Sequence, residues 1–460
     1  MSGRWSPEHA ERHLRSLELF GMRFGLDRMH RMMTALGSPE RSFDSIHVVG
    51  TNGKTSTTRM IAAILERHGL RTGCYLSPHL VSYTERVQIG ERDISTHAFA
   101  AAIARAAWAA ERVNHTLAED DHVTQFELLT AAAFWELSRR GAEVVVVEAG
   151  LGGRYDATNV IDSTLVALTN VGLEHTRWLG PTLTDIATEK LAVLGERSVL
   201  VLGVHTPPEL LDLAAAIAAE HDSQLVVAEP SATDLAMGAR GSFQRSNFAL
   251  ARQAAASYLA RRRGERIELD EDAVRAAARS TAVPGRMQVV ANDPLTILDG
   301  AHNPDAVLAL VESLPELLSG RRLGLVFGVL EDKDAASMLA ALLPLCERAW
   351  FTAPPNQRAL PPATLVSLSR QLGFEHTVCD PQPAKALAAA QQWARTREGG
   401  AAAVLASGSV YLVGEVLAHA HELGLSAGHP LGVPVGVPAP AGRPAEHEEH
   451  PRRAEGMRRS

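Results

Sequence analysis

The segment Gly50-Thr51-Asn52-Gly53-Lys54-Thr55-Ser56-Thr57 follows a short apolar run and precedes a helical pattern. Glycines let a backbone approach phosphate closely. A helix that opens after such a loop presents unpaired N–H groups at the positive end of its dipole. Lys54 would reach outer phosphates, and Thr55 or a neighbour could face a metal ion. The long form of a P-loop needs a glycine five residues before Gly53, where Val48 stands, so only the short form is met. The plainer alternative is a helix entered by a Gly-Thr turn and carrying a surface lysine. The strand-loop-helix context favours phosphate.

A second cluster begins at Glu148, which ends the run Val144-Val145-Val146-Val147 and precedes Gly150-Leu151-Gly152-Gly153. A carboxylate at the carboxyl end of a parallel strand lies at the rim where α/β proteins bind ligands. A hard oxygen donor there suits Mg²⁺. The alternatives are a dinucleotide loop, for which the glycine spacing is wrong, and a solvated strand-end glutamate. Taken alone, His175 reads as a hydrogen-bonded structural residue after a strand. Lys190 reads as a surface lysine, and Ser77, before Pro78, as part of a turn.

The elements that must position these groups follow from apolar periodicity. Strands are predicted at 46–49, 144–147, 165–168 and 199–202, and helices at 7–37, 55–68, 97–113 and 125–140. Fully apolar β-branched runs belong to strands buried on both faces of a parallel sheet, and their alternation with helices indicates an α/β fold. After Val283-Pro284-Gly285-Arg286 the alternation restarts, with strands at 296–298, 323–327 and 404–406 and helices from about 304 and at 410–421. The expected division is 1–290, a smaller α/β domain over 291–427, and a disordered tail over 428–460, whose last 33 residues hold six prolines and few large apolar side chains.

The 460 residues allow two or three domains. A net charge of −8 argues against a nucleic-acid partner. Cys74, Cys346 and Cys379 are too sparse for a disulfide framework or a zinc knuckle, which points to a reducing cytoplasm. No apolar run of about 18 residues appears, so no membrane helix is expected. The first residues lack the apolar core of a signal peptide.

Ten motifs then fall in one order. They are 50–55, 77–80 with 83–86, 126–127 with 129–130, 148–159, 172–176 with 178–180, 189–190, 284–286, 299–304, 332–334 and 408–415. Together they resemble the folylpolyglutamate synthase/dihydrofolate synthase family of the Mur ligase superfamily. The resemblance implies an α/β P-loop ATP-binding domain with a parallel sheet, followed by a smaller Rossmann-like ligase domain. It implies that Thr51, Asn52, Gly53, Lys54 and Thr55 hold ATP phosphates and that Asn247, Arg286 and Asp299 also meet the nucleotide. Ser77 and Glu148 would ligate one Mg²⁺. His175 would ligate a second, with Lys190 carried as a carbamate. Leu26, Asp27, Arg28 and Met29, with Thr124, Gln125, Phe126 and Glu127, and Tyr155, Asp156 and Ala157, would line a pterin site. Two departures stand out: Glu174 where the family commonly has Asp, and Leu191-Ala192 where Ala-Gly commonly follows the lysine.

The implied reaction joins a carboxylate to the amine of L-glutamate after ATP has converted that carboxylate to an acyl phosphate. Two anions must meet, and Mg²⁺ with Lys54 would offset their repulsion. The expected protein is a cytoplasmic monomer that glutamylates dihydropteroate and reduced folates, without nucleic-acid or membrane partners. The alternatives are a monofunctional folylpolyglutamate synthase, a cell-wall Mur ligase and a non-catalytic nucleotide-binding module.

Overall fold

The computed structural model describes residues 5–17, 25–231, 235–396 and 401–426. Two sheets organise it. The first contains β1 (Asp44–Val49), β2 (Thr72–Tyr75), β3 (Val87–Ile89), β4 (Arg92–Asp93), β5 (Val144–Glu148), β6 (Ser163–Leu168), β7 (Val199–Leu202) and β8 (Gln224–Val227). Their spatial order is β4-β3-β2-β5-β1-β6-β7-β8, and only the β3 and β4 pairings are antiparallel.

Alternating side chains of the central strands serve two cores. Val144 and Val146 pack with Met60, Ile61, Phe248 and Tyr258, from the helices Lys54–Arg67 and Ser242–Arg263. Val145 and Val147 pack with Phe99, Ile103, Leu129 and Phe134, from the helices Thr96–Asn114 and Gln125–Arg139. Burial on both faces is why this strand reads as an unbroken apolar run.

The second sheet contains β9 (Gln288–Asn292), β10 (Leu295–Leu298), β11 (Arg322–Phe327), β12 (Cys346–Phe351), β13 (Thr377–Cys379) and β14 (Ala402–Ser407), in the order β13-β12-β11-β14-β10-β9. It is parallel except for β9. Helices Pro304–Leu318, Ala335–Leu342 and Pro362–Gln371 supply one core, and Pro383–Thr396 with Val410–Ala418 the other.

All seven runs read as strands form. The predicted helix over 7–37 is instead two helices, Pro7–Ser16 and Asp27–Leu36, and residues 18–24 lie outside the described set. Edge strands escape the pattern because they are short and only partly buried; β8 has no fully buried residue. The predicted tail over 428–460 lies outside the described residues. Among the described residues, no helix is long and apolar enough to cross a membrane.

Register decides what this fold brings together. Val48 pairs with Glu148 and Val49 with Leu168, so the carboxyl ends of β5, β1 and β6 lie side by side. The loop at 50–53, Glu148 and the segment leading to His175 therefore leave the sheet at one rim.

Candidate active site

The loop at the end of β1 is shaped by two glycines with positive φ, Gly50 at 146° and Gly53 at 81°. A Cβ on Gly50 would fall 1.8 Å from Thr169 Oγ1, and one on Gly53 2.4 Å from Asn247 Oδ1. Both positions thus need glycine for space as well as conformation. Thr51 N–H donates to Asn170 O at 2.9 Å, and Asn52 N–H to Asn170 Oδ1 at 2.9 Å. Lys54 opens the following helix and turns back, its Nζ donating to Gly50 O and Thr51 O at 3.0 Å each.

Beside the loop stands Glu148, 2 % exposed. Its Oε1 accepts from Thr55 Oγ1 at 2.8 Å and its Oε2 from Ser77 N–H at 3.1 Å. Burial pushes its carboxyl above the usual range, against the Lys54 charge and these two hydrogen bonds. Lys190, also buried, reaches the same loop and donates to Gly50 O at 2.9 Å. Burial, helped by the Lys54 charge, lowers its ammonium pKa to about 7. Leu191, the bulky neighbour, points away into the apolar core with Val49, Val166 and Leu168. It leaves the Lys190 amine facing the loop.

His175 takes a left-handed conformation, φ 53°, ahead of the short helix Thr176–Leu179. Burial lowers its pKa to about 4, so the imidazole is neutral near pH 7. Its neighbour Glu174 reaches across to the second sheet, with Oε1 2.8 Å from Lys333 Nζ and 3.5 Å from His302 Nε2. Burial alone would raise its pKa, but His302, Lys333 and His175 hold it well below the carboxylate range. Asn52 and Asn303 exchange amide hydrogen bonds of 3.2 and 3.0 Å across the same gap. Motif order includes His302, Asn303 and Lys333, but no local pattern gives these residues a role.

On the second sheet, buried Asp299 follows β10 and accepts from Met287 N–H and Ala301 N–H, both at 2.8 Å. Burial raises its pKa, against the charge of Arg286. Arg286, Asp299 and Asn247 face the 50–56 loop, Ser77, Glu148, His175 and Lys190 in one cleft of about 310 Å³.

A groove of about 1470 Å³ continues from this cleft, lined by Leu26, Arg28, Thr124 to Glu127 and Tyr155 to Ala157. Asp27 and Met29 do not line it. Asp27 is exposed and pairs with Arg31 at 2.8 Å, while Met29 is fully buried in the core. The physical reason is helical: successive residues point about 100° apart, so four in a row cannot share one face. Several lining residues have partners of their own. Arg28 binds Glu127 at 2.9 Å and Asp121 at 3.1 Å, and Gln125 donates to Leu14 O at 2.6 Å.

The cleft therefore combines a phosphate-shaped loop, buried acceptor oxygens and a lysine of lowered basicity. Among the described residues, no three His, Cys, Asp or Glu side chains form a ready-made metal cage.

A family model for the Mur ligase middle domain matches residues 48–214, and one for the Mur ligase glutamate ligase domain matches 285–410. The Escherichia coli dihydrofolate synthase/folylpolyglutamate synthase is 34% identical over 350 residues, 74% of this chain and 80% of that protein. The chain belongs to the folylpolyglutamate synthase/dihydrofolate synthase family of Mur ligases. Another family relative, the probable bifunctional folylpolyglutamate synthase/dihydropteroate synthase of Haloferax volcanii, is 33% identical over 87% of this chain. The chain spans about half of its length, 49%. The folylpolyglutamate synthase/dihydrofolate synthase of Yersinia pestis, solved with AMPPNP and Mn ion, superposes with a TM-score of 0.77 at 27% identity. The match covers 92% of this chain and 100% of that one.

Proposed function

We propose that this protein is an ATP-dependent amide ligase that adds L-glutamate to dihydropteroate and extends the glutamate tail of reduced folates. The observation that carries this reading is the single cleft. The Lys54 loop, Glu148 and Lys190 on one sheet face Arg286 and Asp299 on the other, and a long groove leads in. The family relatives named above support it. In the same reading, the chain divides at the linker around Pro284 into an ATP-binding and a ligase domain.

In this proposal Thr51 and Asn52 shape the loop through their bonds to Asn170, and the backbone N–H groups of Gly53 to Thr55 and the Lys54 ammonium bind the phosphates, releasing Lys54 from the carbonyls it now caps. Asn247 and Arg286 orient the nucleotide, and Asp299 orders the junction through its two backbone contacts. The acceptor carboxylate takes the γ-phosphoryl group and becomes an acyl phosphate. The glutamate amine attacks its carbonyl carbon, an amide forms, and phosphate leaves. Leu26, Arg28, Thr124 to Glu127 and Tyr155 to Ala157 would seat the pterin end of the acceptor.

The residues fit a divalent cation, which we take to be Mg²⁺. Glu148 is a buried carboxylate, and the charges of Lys54 and Arg286 favour its ionised form. Ser77 and Thr55 add hydroxyl oxygens beside it, and neutral His175 offers a ring nitrogen. Lys190 as an ammonium would repel a second Mg²⁺. With a pKa of about 7 it presents the neutral amine that CO₂ requires, and the resulting carbamate would supply oxygen donors. Bound there, Mg²⁺ would screen phosphate charge and stabilise charge moving onto the bridging oxygen.

All proposed groups lie within one chain, so a monomer suffices. The three free cysteines suit the cytoplasm. The test is incubation with ATP and glutamate plus dihydropteroate or tetrahydrofolate, following phosphate release and product mass. Product with tetrahydrofolate alone would leave a monofunctional polyglutamate ligase, and no product with either would sink the reading.

A further inference from the structure

One buried histidine lies outside this chemistry. His47, in the middle of β1, is fully buried, and its Nε2 lies 2.8 Å from Thr158 Oγ1. Thr158, equally buried, places the same Oγ1 2.5 Å from Asp156 Oδ1 and its N–H 3.0 Å from that oxygen. The other oxygen, Oδ2, accepts from Leu151 N–H at 2.7 Å. Asp156 is 6 % exposed and lines the groove.

The direction of this chain can be deduced. A threonine hydroxyl has one proton to give. If it goes to His47, then Nε2 is bare and the ring proton sits on Nδ1, which has no partner. That strands an N–H in the core. If it goes to Asp156, His47 carries its proton on Nε2, and Nδ1 holds only a lone pair. Leaving a buried donor unpaired is the costly choice, so the chain runs His47 to Thr158 to Asp156. Every neighbour that meets Asp156, the Leu151 and Gly150 backbone included, then donates, and these bonds favour the ionised carboxylate against burial, which pushes its pKa up. The carboxylate also borders the groove, where a donor on a bound ligand can reach it.

We propose that His47 and Thr158 are positioning residues for Asp156. They hold its carboxylate ionised and turned so that it accepts a ring N–H of a bound heterocycle. This rests on the reading of the groove as the pterin pocket.

The test measures steady-state kinetics of the full chain with dihydropteroate, ATP and glutamate. Thr158→Val and His47→Leu should each raise KM for dihydropteroate about tenfold, as for a hydrogen bond to a charged group. Their kcat should stay within about threefold and KM for ATP unchanged, because ground-state binding alone is lost. Thr158→Ser and His47→Gln keep the donors and should recover most of the loss. Packing alone would not produce that rescue. Serine and glutamine variants as impaired as valine and leucine ones would overturn the proposal. So would unchanged KM in Thr158→Val and His47→Leu while Asp156→Asn raises it. Unchanged KM in Asp156→Asn as well would instead remove the pterin pocket. Should Thr158→Val fail to fold, the His47 pair decides. Loss of fold or ATP binding in His47→Gln too would make the triad a packing element and end the proposal.

Discussion

Lys190→Met should stabilise the folded protein while abolishing ligation. The ammonium titrates at about 7 instead of 10.5, chiefly because the side chain is buried. A gap of about 3.5 pH units corresponds to about 5 kcal/mol against the charged form. Methionine forfeits the bond to Gly50 O, worth about 1 kcal/mol net. That carbonyl keeps Lys54 Nζ at 3.0 Å, so no acceptor is orphaned. Allowing for relaxation and water entry around the native ion, the net gain should be about 2 kcal/mol at pH 7. For a chain of this size that raises Tm by roughly 2 °C. The sign with pH follows from proton binding. The unfolded chain binds more protons than the folded one between the two pKa values, so wild-type stability rises from about pH 7 to pH 10.5. The penalty on the charged form is therefore full below about pH 7 and falls to roughly a third by pH 9.5, so the net advantage of methionine is close to nil there and reverses by about 1 kcal/mol, the lost hydrogen bond, above pH 10.5. The assay is urea unfolding at pH 6.5 and 9.5, in CO₂-free buffer without nucleotide or metal ion. A variant less stable at pH 6.5, or a gain that does not shrink with pH, would show that this ammonium is not desolvated, and the argument for a carbamate would go with it.

Lys54→Ala should keep the fold and lose roughly 2.7–4 kcal/mol of transition-state stabilisation, by analogy with a lost oxyanion donor; phosphate release at near wild-type rate would refute the loop assignment. Glu148→Gln should lower kcat and raise the Mg²⁺ concentration needed for half-maximal rate, with excess Mg²⁺ restoring activity only in part. An unchanged Mg²⁺ titration would return Glu148 to a structural role. Arg28→Ala strands the buried Glu127 carboxylate and should cost about 3–5 kcal/mol of stability, measured by urea unfolding. A loss below 1 kcal/mol would mean that water reaches the pair.

Lys54 and Glu148 were legible as candidates because their signals are local. A glycine loop between a strand and a helix, and a carboxylate ending an apolar β-branched run, each occupy fewer than about ten residues, within the reach of periodicity. His175 and Lys190 carry no such signal. Each became a candidate only through the ordered motifs. Around the groove, a contiguous run such as 26–29 could not reveal which members face the cavity. Helix rotation decided that, sending Asp27 to solvent and Met29 to the core. The same structure committed Gln125 to the carbonyl of Leu14.

The amino-acid sequence by itself determined the α/β class, the restart after Pro284 and which side chains are candidates for chemistry, since each depends on side-chain type and near-neighbour spacing. Tertiary structure alone decided which groups meet. β5 lies between β2 and β1 because crossover helices bury both sheet faces, and no local preference specifies that order. That order sets Glu148 beside the Lys54 loop. The approach of the second sheet then joins Asn52 to Asn303 and Glu174 to Lys333. These pairs are far apart along the chain. Their hydrogen bonds and charges act only once packing has brought them within about 3–4 Å of each other.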